Sequence, residues 1–288
     1  MIAFATSKKA VRPDATPSVL GSPPENAHDP AEGYYDARRG AAGYAPIVGT
    51  FGALAVPAVV VVFVNLTDLQ RHSPAAAFAA GLLVVTVIGS IIGAISMAAI
   101  GGESSLTPNL TSAVMFAAVP VVIALVDVVA AFELLASLAL PDAQLLLQLI
   151  TGISGALGVF FTALALGDSW ATHPIHSPNY DEWKKKEWIG SQEDADNAAL
   201  WVAGLGVLPV LTGTALRVLA GLHVTANVTT ANVIILSGLA LTVAATVASA
   251  LRTRHPKMAS SRGPRWQEAY VTTLATSTYA AILVIFLP

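Results

Sequence analysis

Seven stretches of the chain carry no charged side chain and are dominated by Ala, Val, Leu, Ile and Gly: Ala41–Thr67, Ser73–Gly102, Ser104–Val126, Ala143–Gly167, Asn197–Leu216, Val224–Leu251 and Ala269–Pro288. A helix rises about 1.5 Å per residue, so roughly 20 residues cross the hydrocarbon core of a bilayer, and each stretch reaches that length. Within lipid only helices and closed barrels satisfy their backbone hydrogen bonds, and these runs lack the period-two alternation of barrel strands. One or two helices that are apolar all round would fit the core of a soluble protein, but seven in succession would not. The pattern predicts an all-α, polytopic integral membrane bundle of seven transmembrane helices, with spans at about 44–66, 75–101, 107–139, 143–167, 197–222, 229–251 and 268–287.

The polar segments between these runs set the domain plan. Residues 1–40 are rich in Pro and Gly with mixed charge and read as a tail, followed by a membrane domain over 41–288. The tail holds no apolar run of a secretory signal, so the first span is expected to direct insertion. The segment 168–196 is predicted to be a cytoplasmic loop, with Trp170, Tyr180, Trp183 and Trp188 suiting a short helix at the lipid headgroups.

Cations orient the chain, because cytoplasmic loops retain Lys and Arg. Lys8, Lys9, Arg12, Arg38 and Arg39 precede the first span. Lys184, Lys185 and Lys186 follow the fourth, and Arg252, Arg254, Lys257, Arg262 and Arg265 follow the sixth. Only Arg71 and Arg217 fall toward the other side, which predicts a cytoplasmic N-terminus and a C-terminus opposite.

Composition agrees with the pattern: 55% of residues are hydrophobic and 11% charged, against about 25% charged in a soluble domain. A net charge of −3 without a basic, aromatic-bearing stripe argues against nucleic acid. The absence of cysteine removes disulfides, thiolate metal sites and cysteine nucleophiles. The expected partners are the lipid bilayer and protein neighbours reached through residues 1–40, with Tyr34 and Tyr35 as anchors, or through small-residue helix faces.

Spans one, three and five share an apolar stretch around a proline, at Pro57, Pro120 and Pro209, and each is followed by a helix rich in small or β-branched residues. This reads as three helical-hairpin repeats plus a seventh span, with bends at similar depth. The same prolines also serve as simple kinks, which membrane helices tolerate.

Counting from those prolines puts Asn65, Asp127 and Arg217 at one level, seven or eight residues on, and predicts an Asp127–Arg217 ion pair. Isolated ions in hydrocarbon cost several kcal/mol, so such groups pair or face water. Asp68, Glu133 and His223 continue as an outer polar layer. Asn65, Asp127, Glu133 and Arg217 are the candidate substrate or proton site. The alternative is a packing lock between Asp127 and Arg217, with Asp68, Glu133 and His223 wetted at the interface.

Other chemistry finds little support. Gly152-Ile153-Ser154-Gly155 resembles the serine motif of rhomboid proteases, but the last two spans lack the histidine that such chemistry needs. The last span lacks the lysine to which retinal proteins attach their pigment. His173 and His176, with Asp168 or Asp181, form a weak metal candidate short of a defined ligand set. No cofactor is indicated. Three functions follow: permease-like handling of a small solute or proton; a noncatalytic subunit of a larger membrane complex; or an embedded enzyme on an apolar, isoprenoid-like substrate.

Overall fold

The computed structural model describes residues 37–65, 73–103, 110–139, 142, 144–167, 185–220, 227–254 and 266–287. The tail up to residue 36, Asp68, His173, His176, His223 and the Asn65 side chain lie outside the described residues. The described elements are seven α-helices: α1 (Ala37–Asn65), α2 (Pro74–Gly101), α3 (Leu110–Ala139), α4 (Gln144–Gly167), α5 (Lys185–Leu219), α6 (Val228–Arg254) and α7 (Trp266–Phe286).

Six of them contain stretches long and apolar enough to cross a membrane: Ala37–Pro57, Pro74–Gly101, Leu110–Leu138, Ala199–Leu219, Val228–Arg254 and Glu268–Phe286. In α4 the apolar part is the shorter Leu145–Phe160. The faces of these helices are reversed from those of a soluble bundle. On α4 the buried positions are Gln148, Thr151, Gly152, Gly155, Ala156, Val159 and Ala163, while Leu145, Leu146, Leu149, Ile150, Ile153 and Leu157 point out. On α6, Ala231, Ile234, Gly238, Thr242, Ala245 and Ser249 face inward at helical spacing, and Val233, Leu236, Val243 and Val247 face outward. Small and polar side chains inside with branched apolar ones outside is the arrangement lipid demands. The chain is an integral membrane protein.

Local chemistry explains where the helices begin. Ser73 caps α2, its hydroxyl accepting from the Ala76 amide at 3.1 Å, and Pro74 supplies a first residue that needs no donor. Asn227 caps α6 in the same way, accepting from the Thr230 amide at 2.8 Å. Two starts differ from expectation. The first helix opens at Ala37, inside the segment read as tail, and α5 opens at Lys185, inside the segment read as a loop. Between Lys185 and Ala198 the chain has no proline and one glycine, Gly190. Once the apolar half of α5 is helical, each further residue adds a hydrogen bond without a new nucleation step, so the polar half follows.

Helix α3 is the hub, packing on α1, α2, α4, α6 and α7. Some 72% of its apolar window is buried, against 22% in α1 and 28% in α6. Close approach depends on glycine. A Cβ on Gly89 would lie 2.9 Å from the Pro120 carbonyl oxygen, and on Gly93 2.9 Å from Val121. Alongside, the Thr86 hydroxyl donates to the Ala124 carbonyl at 3.2 Å, tying α2 to α3. Pro57, Pro120 and Pro209 all lie inside continuous helices.

The same contacts give helix directions. Gly49 meets Ala94, Gly52 meets Ser90 and Gly101 meets Ala42, so α1 and α2 are antiparallel. Gly152 against Thr214 and Gly155 against Val210 make α4 and α5 antiparallel; Gly206 against Thr273 and Gly213 against Ala281 make α5 and α7 parallel. The third expected hairpin is not a principal packing pair: among the described residues α5 packs on α4 and α7, whereas α6 packs mainly on α3 and α2.

Candidate functional site

Two buried acids on α3 organise the polar interior. Asp127 lies 12 residues before the end of the helix at Ala139, about 18 Å along the axis, and Glu133 is about 9 Å nearer that end. At about 100° per residue, six residues separate their directions by about 120°, so the two side chains reach different neighbours.

Asp127, fully buried, accepts a hydrogen bond from the Tyr279 hydroxyl of α7, Oη to Oδ1, at 2.7 Å. Its second oxygen, Oδ2, has no hydrogen-bond partner among the described residues. Gly238 of α6 makes this contact fit, since a Cβ there would lie 2.6 Å from the Tyr279 oxygen and 2.9 Å from the ring carbon bearing it. Three helices thus converge on one carboxyl.

Glu133 takes the other partner. Its Oε1 receives the Arg217 Nη2 of α5 in an ion pair whose side chains are each 1% exposed. This corrects the expected Asp127–Arg217 pair. Along α5 and α7 the contacts run at an offset of 67 or 68 residues, so residues 211–212 of α5 stand level with Tyr279 and hence near Asp127. Arg217 lies five or six residues further, about 8 Å, at the height of Glu133. Counting from prolines fails because α5 sits at a different height from α3.

Around the ion pair the interior stays polar. Gln148 and Thr151 of α4 and Thr214 of α5 are all buried, and the antiparallel register of Gly152 on Thr214 brings Gln148 opposite residues 217–218. Glu133 Oε2 has no hydrogen-bond partner among the described residues. Sequence reasoning named Asp127, Glu133 and Arg217 but missed Tyr279, Gln148 and Thr151. The signal was present for Tyr279, a phenol inside an otherwise apolar run, but amphipathic rings are also common at interfaces.

Chemically the two sites differ. The Glu133–Arg217 pair cancels its own charge and resists change, because removing either partner leaves a buried ion. Asp127 is held by a hydroxyl, a partner that donates to a carboxylate or accepts from a carboxylic acid. Among the described residues no group of three His, Asp or Glu side chains is placed to hold a metal. Compared with known families, curated proteins and solved structures, the chain matches no family model, no curated protein and no solved structure.

Proposed function

We propose that the chain crosses the membrane seven times, N-terminus cytoplasmic and C-terminus opposite, and moves a proton, alone or with a small solute, by way of Asp127. The carrying observation is the environment of that carboxyl: fully buried on the hub helix, bonded to one hydroxyl, with its second oxygen unpartnered among the described residues. Charged groups inside a membrane are expensive and are retained where they do work on ions or protons. Glu133 and Arg217 hold the helices around that site, and Asn65 belongs to the same polar region in this reading. The alternation of helix directions and the run of Arg38, Arg39, Lys185, Lys186, Arg252 and Arg254 at one set of helix ends support the crossing number and orientation.

The test is proton movement in proteoliposomes holding a trapped pH indicator, driven by a potassium-diffusion potential and measured with and without added solutes. The wild type is expected to acidify or alkalinise the lumen faster than empty vesicles, and Asp127→Asn to return to the empty-vesicle rate. Equal rates for wild type and Asp127→Asn under every condition sink the reading.

A second reading rests on the burial of the same region: Asp127, Glu133 and Arg217 expose at most 3% of their surface, as a locked bundle would. That suits a noncatalytic subunit of a larger membrane complex. Native mass measurement after mild extraction separates the two, since an isolated monomer or homodimer removes the subunit reading.

A further inference from the structure

Helices α6 and α7 are antiparallel and pack on each other more sparsely than either packs on its principal neighbours. Their facing positions are matched. Gly238 meets Tyr279 at one level, and Arg252 pairs with Glu268 near the other end. Carrying that register between the two fixed contacts brings Thr242 opposite Thr276 and Thr246 opposite Thr272. On α7 the polar positions Glu268, Thr272, Thr276 and Tyr279 recur every three or four residues, one face of a helix. On α6 the positions Thr242, Thr246, Ser249 and Arg252 do the same.

These hydroxyls keep acceptor capacity. Thr246 donates to the Thr242 carbonyl at 2.7 Å, Thr272 to the Glu268 carbonyl at 2.6 Å and Thr276 to the Thr272 carbonyl at 3.0 Å. Each such bond uses the one hydroxyl proton and leaves lone pairs on the oxygen. Ser249 donates to the Ala113 carbonyl of α3 at 2.9 Å, which closes the third side of the seam.

Three atoms along this line have no hydrogen-bond partner among the described residues: Asp127 Oδ2, Thr242 Oγ1 and Glu268 Oε2. Asp127 and Thr242 are both fully buried. A buried polar atom without a partner is rare in folded proteins, and ordered water is a common answer where several polar atoms line the space. Unpartnered atoms at the start, middle and end of one hydroxyl-lined seam call for the same answer three times.

We propose that the α6–α7 seam is a water-bearing proton path, open at the Arg252–Glu268 end and leading past Thr246, Thr272, Thr242 and Thr276 to Asp127. This deepens the proposed function and rests on it. A proton entering at the aqueous end is taken up by the first water or hydroxyl oxygen. That oxygen releases a different proton to the next, and the last hop delivers one to Asp127, so the file gains and loses one proton in each passage. The Arg252–Glu268 pair sits at the mouth. Access from one end only is what an alternating or gated carrier needs on the near side of its site.

The chain has no cysteine, so single-cysteine variants need no prior editing of the sequence. Thr242→Cys, Thr246→Cys and Thr276→Cys keep the side-chain size and should fold. Val243→Cys and Val247→Cys, on the outward face of α6, are the lipid-side controls, and Arg254→Cys, at an exposed helix end, marks which vesicle face carries Arg252. The probe is a membrane-impermeant, positively charged methanethiosulfonate, which reacts with the thiolate and so reports contact with water.

Applied to the face that labels Arg254→Cys, the reagent is expected to modify the cysteines at 246, 242 and 276 at least about ten-fold faster than those at 243 and 247, because a thiol in lipid does not ionise. Rates equal to the lipid-side controls, or faster labelling only from the opposite face, overturn the proposal. Proton movement in the same vesicles separates the two readings. Labelling that persists while the wild type moves no protons removes the proposed function and leaves the wet seam. Protein that moves protons through Asp127 but does not label along the seam removes the seam alone.

Discussion

Asp127 and Glu133 stand six residues apart on one helix, both buried, yet they are held in opposite ways. Glu133 meets a guanidinium across the bundle, and Asp127 meets a phenol. The first arrangement is self-neutralising and binds α3 to α5. The second leaves the state of the carboxyl to its surroundings and to whatever reaches its second oxygen. One helix therefore carries an acid held in an ion pair and an acid held by a hydroxyl, and the direction in which each points decides which partner it meets.

The comparison breaks most visibly under Arg217→Leu. Glu133 would then be a buried ion without its countercharge, and the expected loss is about 3–5 kcal/mol, read as a shift in denaturant-induced unfolding in mixed micelles. Replacing both residues, Arg217→Leu with Glu133→Leu, should restore most of that loss. Asp127→Asn keeps the acceptor oxygen for Tyr279 and should stay within about 1 kcal/mol of wild type while losing proton movement. If Arg217→Leu proves no more costly than Asp127→Asn, the division between the two acids is wrong.

The architecture was legible because hydrocarbon imposes length and composition on every span, as in the runs that became α2 and α6. The choice of partners was not. Depth counted from Pro120 and Pro209 assumed that α3 and α5 enter at equal heights, whereas the register of Gly206 and Gly213 along α7 sets α5 apart by five or six residues. That offset moves Arg217 from Asp127 to Glu133. Tyr279 escaped notice because its meaning depends on Gly238, a residue 41 positions earlier whose missing Cβ makes the room. Pairings of this kind live in helix register, which local pattern does not encode. The continuity of α5 from Lys185 into the fifth span escaped notice for a related reason, since a short separate helix around Trp188 was expected there and its polar first turns instead extend the apolar half.

Gly238→Val sharpens the comparison at the Asp127 side. The added carbons would fall within 3 Å of the Tyr279 ring and hydroxyl, driving the phenol away from the carboxyl. Overpacking of this sort costs about 1–3 kcal/mol. Tyr279→Phe removes the hydroxyl without the clash and should cost less, about 0.6 kcal/mol as is typical of hydrogen bonds between membrane helices. Both variants should slow proton movement to a similar degree, measured in the same vesicles, if the hydroxyl is what matters. Slow movement in Gly238→Val beside wild-type rates in Tyr279→Phe would assign the effect to packing instead.

The smallest expected effect asks whether an unpartnered polar atom is a burden in this bundle at all. Ser90 of α2 is buried, its hydroxyl has no partner among the described residues, and it lies against Gly52 of α1. Ser90→Ala removes the orphan atom and keeps the Cβ that fills the contact. A gain of about 0.5 kcal/mol is expected, because a buried polar group without a bond carries its desolvation cost. Unfolding of the variant in mixed micelles reads the sign directly. A gain at Ser90 would mean that the bundle tolerates an orphan oxygen at a cost, and Asp127 Oδ2, an orphan of higher polarity at the centre of the hub helix, would then carry a larger one. A loss at Ser90 would mean that such atoms are satisfied within the bundle, and the contrast between Asp127 and Glu133 would rest on their charged partners alone.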